Sequence, residues 1–190
     1  MKKVLLLLSI LVVMVVSGCG SDNVLDKYSF GNQVIKASNS EVIIPSPFEL
    51  GYNSTITATK KGDPIDSYAG SNSKVLVNVE AYLPTGKPQQ TPQGLINDEL
   101  NAMKSVQNFK IVKSESTNIM LSGIPALKQT ITFIGQNDMK FSLLQYVFTD
   151  NDVLWNIVYQ YRTDDAEGQS IVDYVADKIQ VTHKKEGSSK

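Results

Sequence analysis

Residues 140–161 read KFSLLQYVFTDNDVLWNIVYQY, and the fold turns on how this stretch divides. The polar TDND at 149–152 separates two runs rich in aromatic and branched side chains. Asn and Asp satisfy turn backbone with their own side chains, and the flanking composition is that of strands. The segment therefore predicts a hairpin with arms Lys140–Phe148 and Val153–Tyr161. In the second arm Val153, Trp155, Ile157, Tyr159 and Tyr161 share one face while Asn156 and Gln160 share the other, the pattern of a sheet covered on one side. In the first arm Tyr146 and Phe148 share a face opposite to Phe141 and Leu143. Core packing takes the inward aromatic set, and the remainder, Tyr146 and Phe148, is the candidate contact surface for a partner.

Outward from the hairpin the chain stays mainly sheet. Phe109–Val112, a stretch running through Met120, and Ala126–Ile134 predict strands, as does Val75–Leu83, in which Val75, Val77 and Val79 alternate. Between them Thr91 is a plausible N-cap with Pro92 at the first helical position. Ile96, Leu100, Met103 and Gln107, flanked by Leu95 and Val106, give that helix an apolar stripe. A second helix is expected after Asp164 and Asp165, which favour its positive end, with Ile171, Val172, Val175 and Ile179 as its buried side. Near the start, Val34–Ile35 and Glu41–Ile44 form a short hairpin ending at Pro45. Residues 51–74, rich in Gly, Ser, Asn and Thr, predict a strand at Thr55–Thr59 followed by a long surface loop. The fold class is α+β: one domain with an antiparallel sheet flanked by helices. No internal repeat is visible.

The N-terminus has its own logic. Lys2 and Lys3 precede a 13-residue apolar stretch, Val4–Val16, broken only by Ser9, and the small residues Ser17 and Gly18 follow. This is the layout of a secretory signal, too short for a bilayer span, which takes roughly 17–25 residues. Cys19 is the one cysteine in the chain, so it has no internal disulfide partner and no cysteine cluster for zinc. The tetrapeptide VSGC, residues 16–19, resembles the lipobox of prokaryotic lipoproteins. The resemblance implies cleavage between Gly18 and Cys19, acylation of Cys19, and tethering at the extracytoplasmic face of the cell membrane. The expected division is a signal peptide at 1–18, a lipidated cysteine and flexible tether at 19–33, the folded domain at 34–182, and a disordered tail at 183–190.

Composition narrows the function. The whole chain carries a formal charge of −1; removing residues 1–18 takes Lys2 and Lys3 with it and leaves −3 over 172 residues. That is no basic surplus for nucleic acid, nor for electrostatic attraction to anionic lipid. Arg162 is the only arginine, so bidentate guanidinium clusters for phosphate or carboxylate cannot be assembled.

The order of elements resembles the PsbP-like fold family: a proline-containing hairpin, a Val-rich strand, a capped helix, LSGIPALKQTITF at 121–133, the hairpin with DNDVLWNIVYQY, and a C-terminal helix. The resemblance covers about residues 28–182, and Ser122-Gly123-Ile124-Pro125-Ala126 is its most telling piece. Phe48 stands where the family carries a tryptophan, and the loop at 60–74 is longer than usual. The resemblance implies an antiparallel sheet sandwiched between helices and an accessory role. Family members include extrinsic subunits of photosystem II, a nuclear import factor that binds a small GTPase, and small prokaryotic lipoproteins. They share no active site to carry over, and nothing in the chain transfers the photosystem, calcium or chloride roles.

Catalytic chemistry is thinly represented. His183, the only histidine, stands beside Lys184 and Lys185 without a partner to position it as a base, so histidine-dependent triads have little to build on. Lys113 with Ser114 or Ser116 leaves a Ser–Lys hydrolase as a formal alternative. Asp150 with Asp152, and Asp164 with Asp165 and Glu167, offer oxygen ligands for a hard cation, although turn and cap chemistry accounts for both groups. Asn53-Ser54-Thr55 fits the N-glycosylation pattern. The reading that results is a lipid-anchored, extracytoplasmic, non-catalytic binding or accessory module, without cofactor or metal, for a membrane-associated protein or small ligand. A structural or stress-related envelope lipoprotein is the other alternative.

Overall fold

The computed structural model describes residues 24–55, 57–58, 64–85, 90–107 and 109–183. After a 3-10 turn at Val24–Lys27 come β1 (Gly31–Ala37), β2 (Ser40–Ser46), β3 (Gly51–Tyr52), β4 (Ile65–Ser71), β5 (Val75–Tyr82) and helix α1 (Pro92–Ser105). Then follow β6 (Lys110–Leu121), β7 (Ile124–Ile134), β8 (Lys140–Asp150), β9 (Val153–Arg162), α2 (Ala166–Ala176) and β10 (Gln180–His183). The strands form two antiparallel sheets, one of seven strands in the order β3-β4-β5-β9-β8-β7-β6 and one of three in the order β1-β2-β10.

Turn chemistry sets the register. Asn151 and Asp152 take φ of 46° and 61°, the left-handed conformation that a two-residue hairpin loop demands and that these side chains tolerate. The loop places Asp150 opposite Val153, Phe148 opposite Trp155 and Tyr146 opposite Ile157. Ser122 and Gly123, at φ 50° and 84°, close β6–β7 the same way.

The seven-strand sheet is covered on both faces. One face carries Val75, Val77, Val79, Trp155, Ile157, Tyr159, Tyr146 and Phe148. It packs against α2 through Ile171, Val172 and Val175, and against the small sheet through Ile35, Val42, Ile44 and Val181. Burying an aliphatic side chain is worth about 1.5–3 kcal/mol. Those three α2 residues therefore supply enough to hold an 11-residue helix that would be marginal in water alone. The opposite face presents Val147, Leu154 and Leu127 to Leu95, Ile96 and Leu100 of α1.

Several expectations change here. Tyr146 and Phe148 are 2% and 0% exposed and belong to the core, because the two-residue turn puts them on the same face as Trp155. They are not a contact surface. The Asn156 face is covered too: Asn156 is 1% exposed, since α1 lies over it. Within the region expected to be a long loop, Ile65–Ser71 is a strand paired along its length with β5. Its Gly70 lets the Phe48–Glu49 segment approach, because a Cβ there would meet Glu49 O at 2.6 Å and the Phe48 ring at 2.8 Å. Thr55–Thr59 is not a named strand; its described part holds a turn and the single bridge Ala58–Pro64. Within the stretch expected to be tether, Leu25, Tyr28 and Phe30 pack on the core and Gly31–Ala37 is a strand. At the other end His183 closes β10 opposite Ser40. Gly18 and Cys19, the signal segment and residues 184–190 lie outside the described residues.

Candidate functional site

Helix α1 organises the sheet face opposite α2. Thr91 caps it, its Oγ1 accepting from Gly94 N at 3.1 Å, with Pro92 in the first turn where a missing N–H costs nothing. Seating Leu95 and Ile96 on the sheet also turns Glu99 towards it, onto a row of polar side chains from β5, β9 and β8. Asn156 Nδ2 donates to Glu99 Oε1 at 2.8 Å and to Glu80 Oε2 at 3.2 Å. Gln145 Nε2 donates to Asn156 Oδ1 at 2.8 Å and to Glu99 Oε2. Glu80 is held further by Tyr82 Oη at 2.8 Å and Asn78 Nδ2 at 3.1 Å. Gln145 Oε1 is buried without a partner.

The surroundings favour the neutral forms of Glu99 and Tyr82. Burial pushes the Glu99 carboxyl up to about 7; the nearby Glu80 charge adds to the rise while the Gln145 and Asn156 amides pull against it. Burial, followed by the charge of Glu80, raises the Tyr82 phenol far above its ordinary value. Chemically this is a proton-holding network beneath a helix. Neither carboxylate lines either of the two grooves described next.

The first groove, of about 670 Å³, lies between the N-terminal turn of α1 and the turn end of the β6–β7 hairpin. Thr91, Pro92 and Gln93 form one lip; Ile119, Met120, Pro125 and Leu127 provide an apolar floor and far wall, with Asn118 beside them. Met120 is 65% exposed, and β6 is the outermost strand of the sheet. Among the described residues the lining contains no carboxylate, imidazole, amine or thiol, so these side chains suit apolar contact with a few amide hydrogen bonds rather than proton transfer. The second groove, of about 420 Å³, lies against α2 and is bordered by Phe30, Pro45 and Tyr174.

The other sequence candidates are spent on structure. Lys113 pairs with Glu115 at 2.9 Å in the open, and Ser114 Oγ accepts from Gln129 Nε2 at 3.2 Å; no hydrogen bond joins Lys113 to Ser114 or Ser116 among the described residues. Asp150 accepts from Ser40 Oγ at 2.6 Å, which itself accepts from Trp155 Nε1 at 2.8 Å. Asp164 pairs with Arg162 at 2.8 Å. Asp165 caps α2 by accepting from Glu167 N and Gly168 N, both at 3.1 Å, and Lys74 bridges Asp165 and Glu167. The backbone N–H of Gly168 and the Lys74 ammonium hold the Asp165 carboxyl below its ordinary range. No cluster of three or more metal-ligating side chains occurs among the described residues. Asn53 Oδ1 accepts from Thr55 N and Oγ1 in an exposed turn.

Sequence reading missed Glu80, Glu99, Gln145 and Met120. The available signal was Asn78 and Glu80 on one face of a Val-rich strand and Glu99 beside the Leu95–Ile96 stripe.

No protein-family model matches the sequence, and no curated protein matches it. Solved structures do. Cyanobacterial PsbP (CyanoP) from Synechocystis sp. PCC 6803 is 14% identical, over 87% of this chain and 96% of that one, with a TM-score of 0.52. LpqN, involved in cell envelope biogenesis of Mycobacterium tuberculosis, is 12% identical over 85% and 96% of the two chains at a TM-score of 0.43. The Saccharomyces cerevisiae Ran-binding protein Mog1p is 10% identical over 80% and 96%, also at 0.43. At this identity the CyanoP likeness speaks to architecture alone, and it agrees with the element order and the helix-covered antiparallel sheet. This chain has a single-domain α+β fold of the PsbP-like kind.

Proposed function

We propose that this protein is a lipid-anchored lipoprotein of the extracytoplasmic membrane face, whose PsbP-like domain is a non-catalytic binding or accessory module for a membrane-associated partner. One observation carries the binding role: an open, mostly apolar groove with Met120 exposed at its edge and no titratable group among the described residues of its lining. Exposed apolar surface concentrated in a concavity marks recognition, and a lining without acid, base or thiol gives hydrolytic chemistry nothing to start from. The anchor rests on VSGC at 16–19 after a short apolar run. No described helix is long and apolar enough to cross a membrane, which fits a tether. Several acyl chains on one cysteine exceed the two-signal requirement for stable attachment.

The test is one experiment with two arms: a photo-crosslinking residue at position 120 in the full chain, in intact cells, with Cys19 present or changed to Ser. The intact chain pellets with membranes and gives one dominant adduct; Cys19→Ser releases it to the soluble fraction and the adduct fades. Full pelleting of Cys19→Ser would end the anchor reading. Absence of an adduct from a membrane-bound chain would leave an envelope protein whose groove binds nothing.

A further inference from the structure

We infer that the face carrying Tyr28, Phe30 and Tyr174 rests on the headgroup layer of the bilayer, held there by the shortness of the link to the acylated cysteine. The inference rests on the lipid-anchored reading above and adds an orientation to it. Cys19 and Val24 are five Cα steps apart, so the link between them reaches at most ~18 Å. A domain of this size has a radius of gyration near 15 Å, which corresponds to a body about 40 Å across. A link less than half that long does not let the domain tumble freely above the membrane. The link confines the surface that meets lipid to the side of the body around the first turn, and the composition of that side selects the face.

That first turn is firmly seated. Leu25 and Tyr28 pack on the core, and Tyr28 Oη donates to Glu167 Oε1 at 2.9 Å, at the start of α2. Beside it runs a line of rings: Tyr28 and Phe30 have centroids 6.2 Å apart, Phe30 and Tyr174 4.7 Å apart. Lys178 Nζ lies 3.0 Å from the Tyr174 ring centroid, and Tyr174 is 38% exposed. Phe30 and Tyr174 border the smaller groove together with Asp177 and Lys178. Amphipathic rings beside a lysine are the composition that settles at the boundary between headgroups and acyl chains. Lys27 and Lys178 are matched by Asp26 and Asp177 in their immediate sequence, and Asp173 stands beside Tyr174, so the face carries no basic surplus to draw anionic lipid. The seven-strand sheet separates this face from α1, which leaves the Met120 groove turned away from the membrane.

The acylated full-length protein permits a direct test. Cys19 is the one cysteine, and acylation blocks it. A cysteine introduced as Tyr174→Cys, Ser29→Cys or Met120→Cys is then the only free thiol for an environment-sensitive fluorophore. Each protein is reconstituted in phosphatidylcholine vesicles that contain a headgroup spin-labelled lipid. Quenching at 174 and at the exposed position 29 should exceed that at 120 by at least about twofold, given their separation across a ~40 Å body. Ser29→Cys keeps the test decisive if Tyr174→Cys folds poorly. Equal quenching at all three positions on protein that floats with the vesicles overturns the orientation and leaves the anchor standing, as does stronger quenching at 120. Protein that does not float overturns the anchor, and the orientation with it.

Discussion

Replacing Glu99 by Gln should stabilise the protein at alkaline pH and leave it nearly unchanged in acid. The Glu99 carboxyl is pushed up from an ordinary 4.5 to about 7, chiefly by burial. Its folded-state value lies above its unfolded one, so between those values the native state binds more protons than the unfolded chain. Stability then falls as pH rises through the window from 4.5 to 7. At about 1.4 kcal/mol per unit, the penalty for ionised Glu99 approaches about 3 kcal/mol above pH 8, and residual solvent screening trims it to roughly 2–3. Glutamine keeps the shape of the protonated acid and removes the titration. Turning the Gln145 amide would offer the new N–H the unpartnered Oε1 as acceptor at the loss of the Gln145 Nε2–Asn156 Oδ1 bond, a cost that is the same at every pH and leaves the pH dependence as the readout. Thermal unfolding followed by Trp155 fluorescence from pH 4 to pH 9 gives the comparison. The Glu99→Gln curve should lie above wild type by roughly 4–12 °C at pH 8, at the 2–4 °C per kcal/mol typical of this chain length, and converge with it near pH 4. Parallel curves across the window, or a variant weaker than wild type at pH 8, would refute the account of a neutral carboxyl under α1.

Two further changes probe the packing. Gly168→Ala places a Cβ 2.9 Å from Lys74 O and 3.2 Å from Tyr161 Cβ; backbone cannot step aside cheaply, so overpacking of about 1–3 kcal/mol should outweigh alanine's helix advantage of about 1 kcal/mol, and a variant with a higher Tm would refute the contact. Ser40→Ala removes the acceptor of Trp155 Nε1 and a donor to Asp150; the loss should be about 1–3 kcal/mol, with the emission of Trp155, the one tryptophan, moving to the blue, whereas an unchanged urea midpoint and spectrum would show that this bond does not tie the two sheets.

Much of the fold was legible because its signals are local. Thr91-Pro92 announces α1, Asp165 announces α2, and TDND announces a turn whose position the structure keeps; Ser122-Gly123 entered through the family resemblance and is a turn as well. What stayed hidden depends on partners distant in sequence. Residues 65–71, IDSYAGS, have little strand composition, and they form β4 because β5 supplies a complete antiparallel neighbour. The second sheet was invisible for the same reason: β10 joins β2 across more than 130 residues of chain, and the short run Gln180–His183, at the expected boundary between domain and tail, gives no strand signal until that neighbour is known.

The site was less legible than the fold, and the cause is a single ambiguity in strand patterning. Alternation says that Trp155 and Asn156 point opposite ways, but it does not say whether the second face meets water or a helix. Asn156 and Gln145 look solvated by composition, yet they are sealed with Glu80 and Glu99 in one hydrogen-bonded group. The resolving clue was in α1 itself. Leu95, Ile96 and Leu100 need an apolar surface to lie on, and Val147, Leu154 and Leu127 supply one on the face away from Trp155. The choice of Tyr146 and Phe148 as a contact surface fails on related grounds. Once the turn is limited to Asn151 and Asp152, pairing sets Phe148 beside Trp155, and an aromatic placed on the core face is buried whatever its partner-binding potential. Exposed apolar surface was left at Met120 instead, where β6 ends the sheet and no further strand pairs with it.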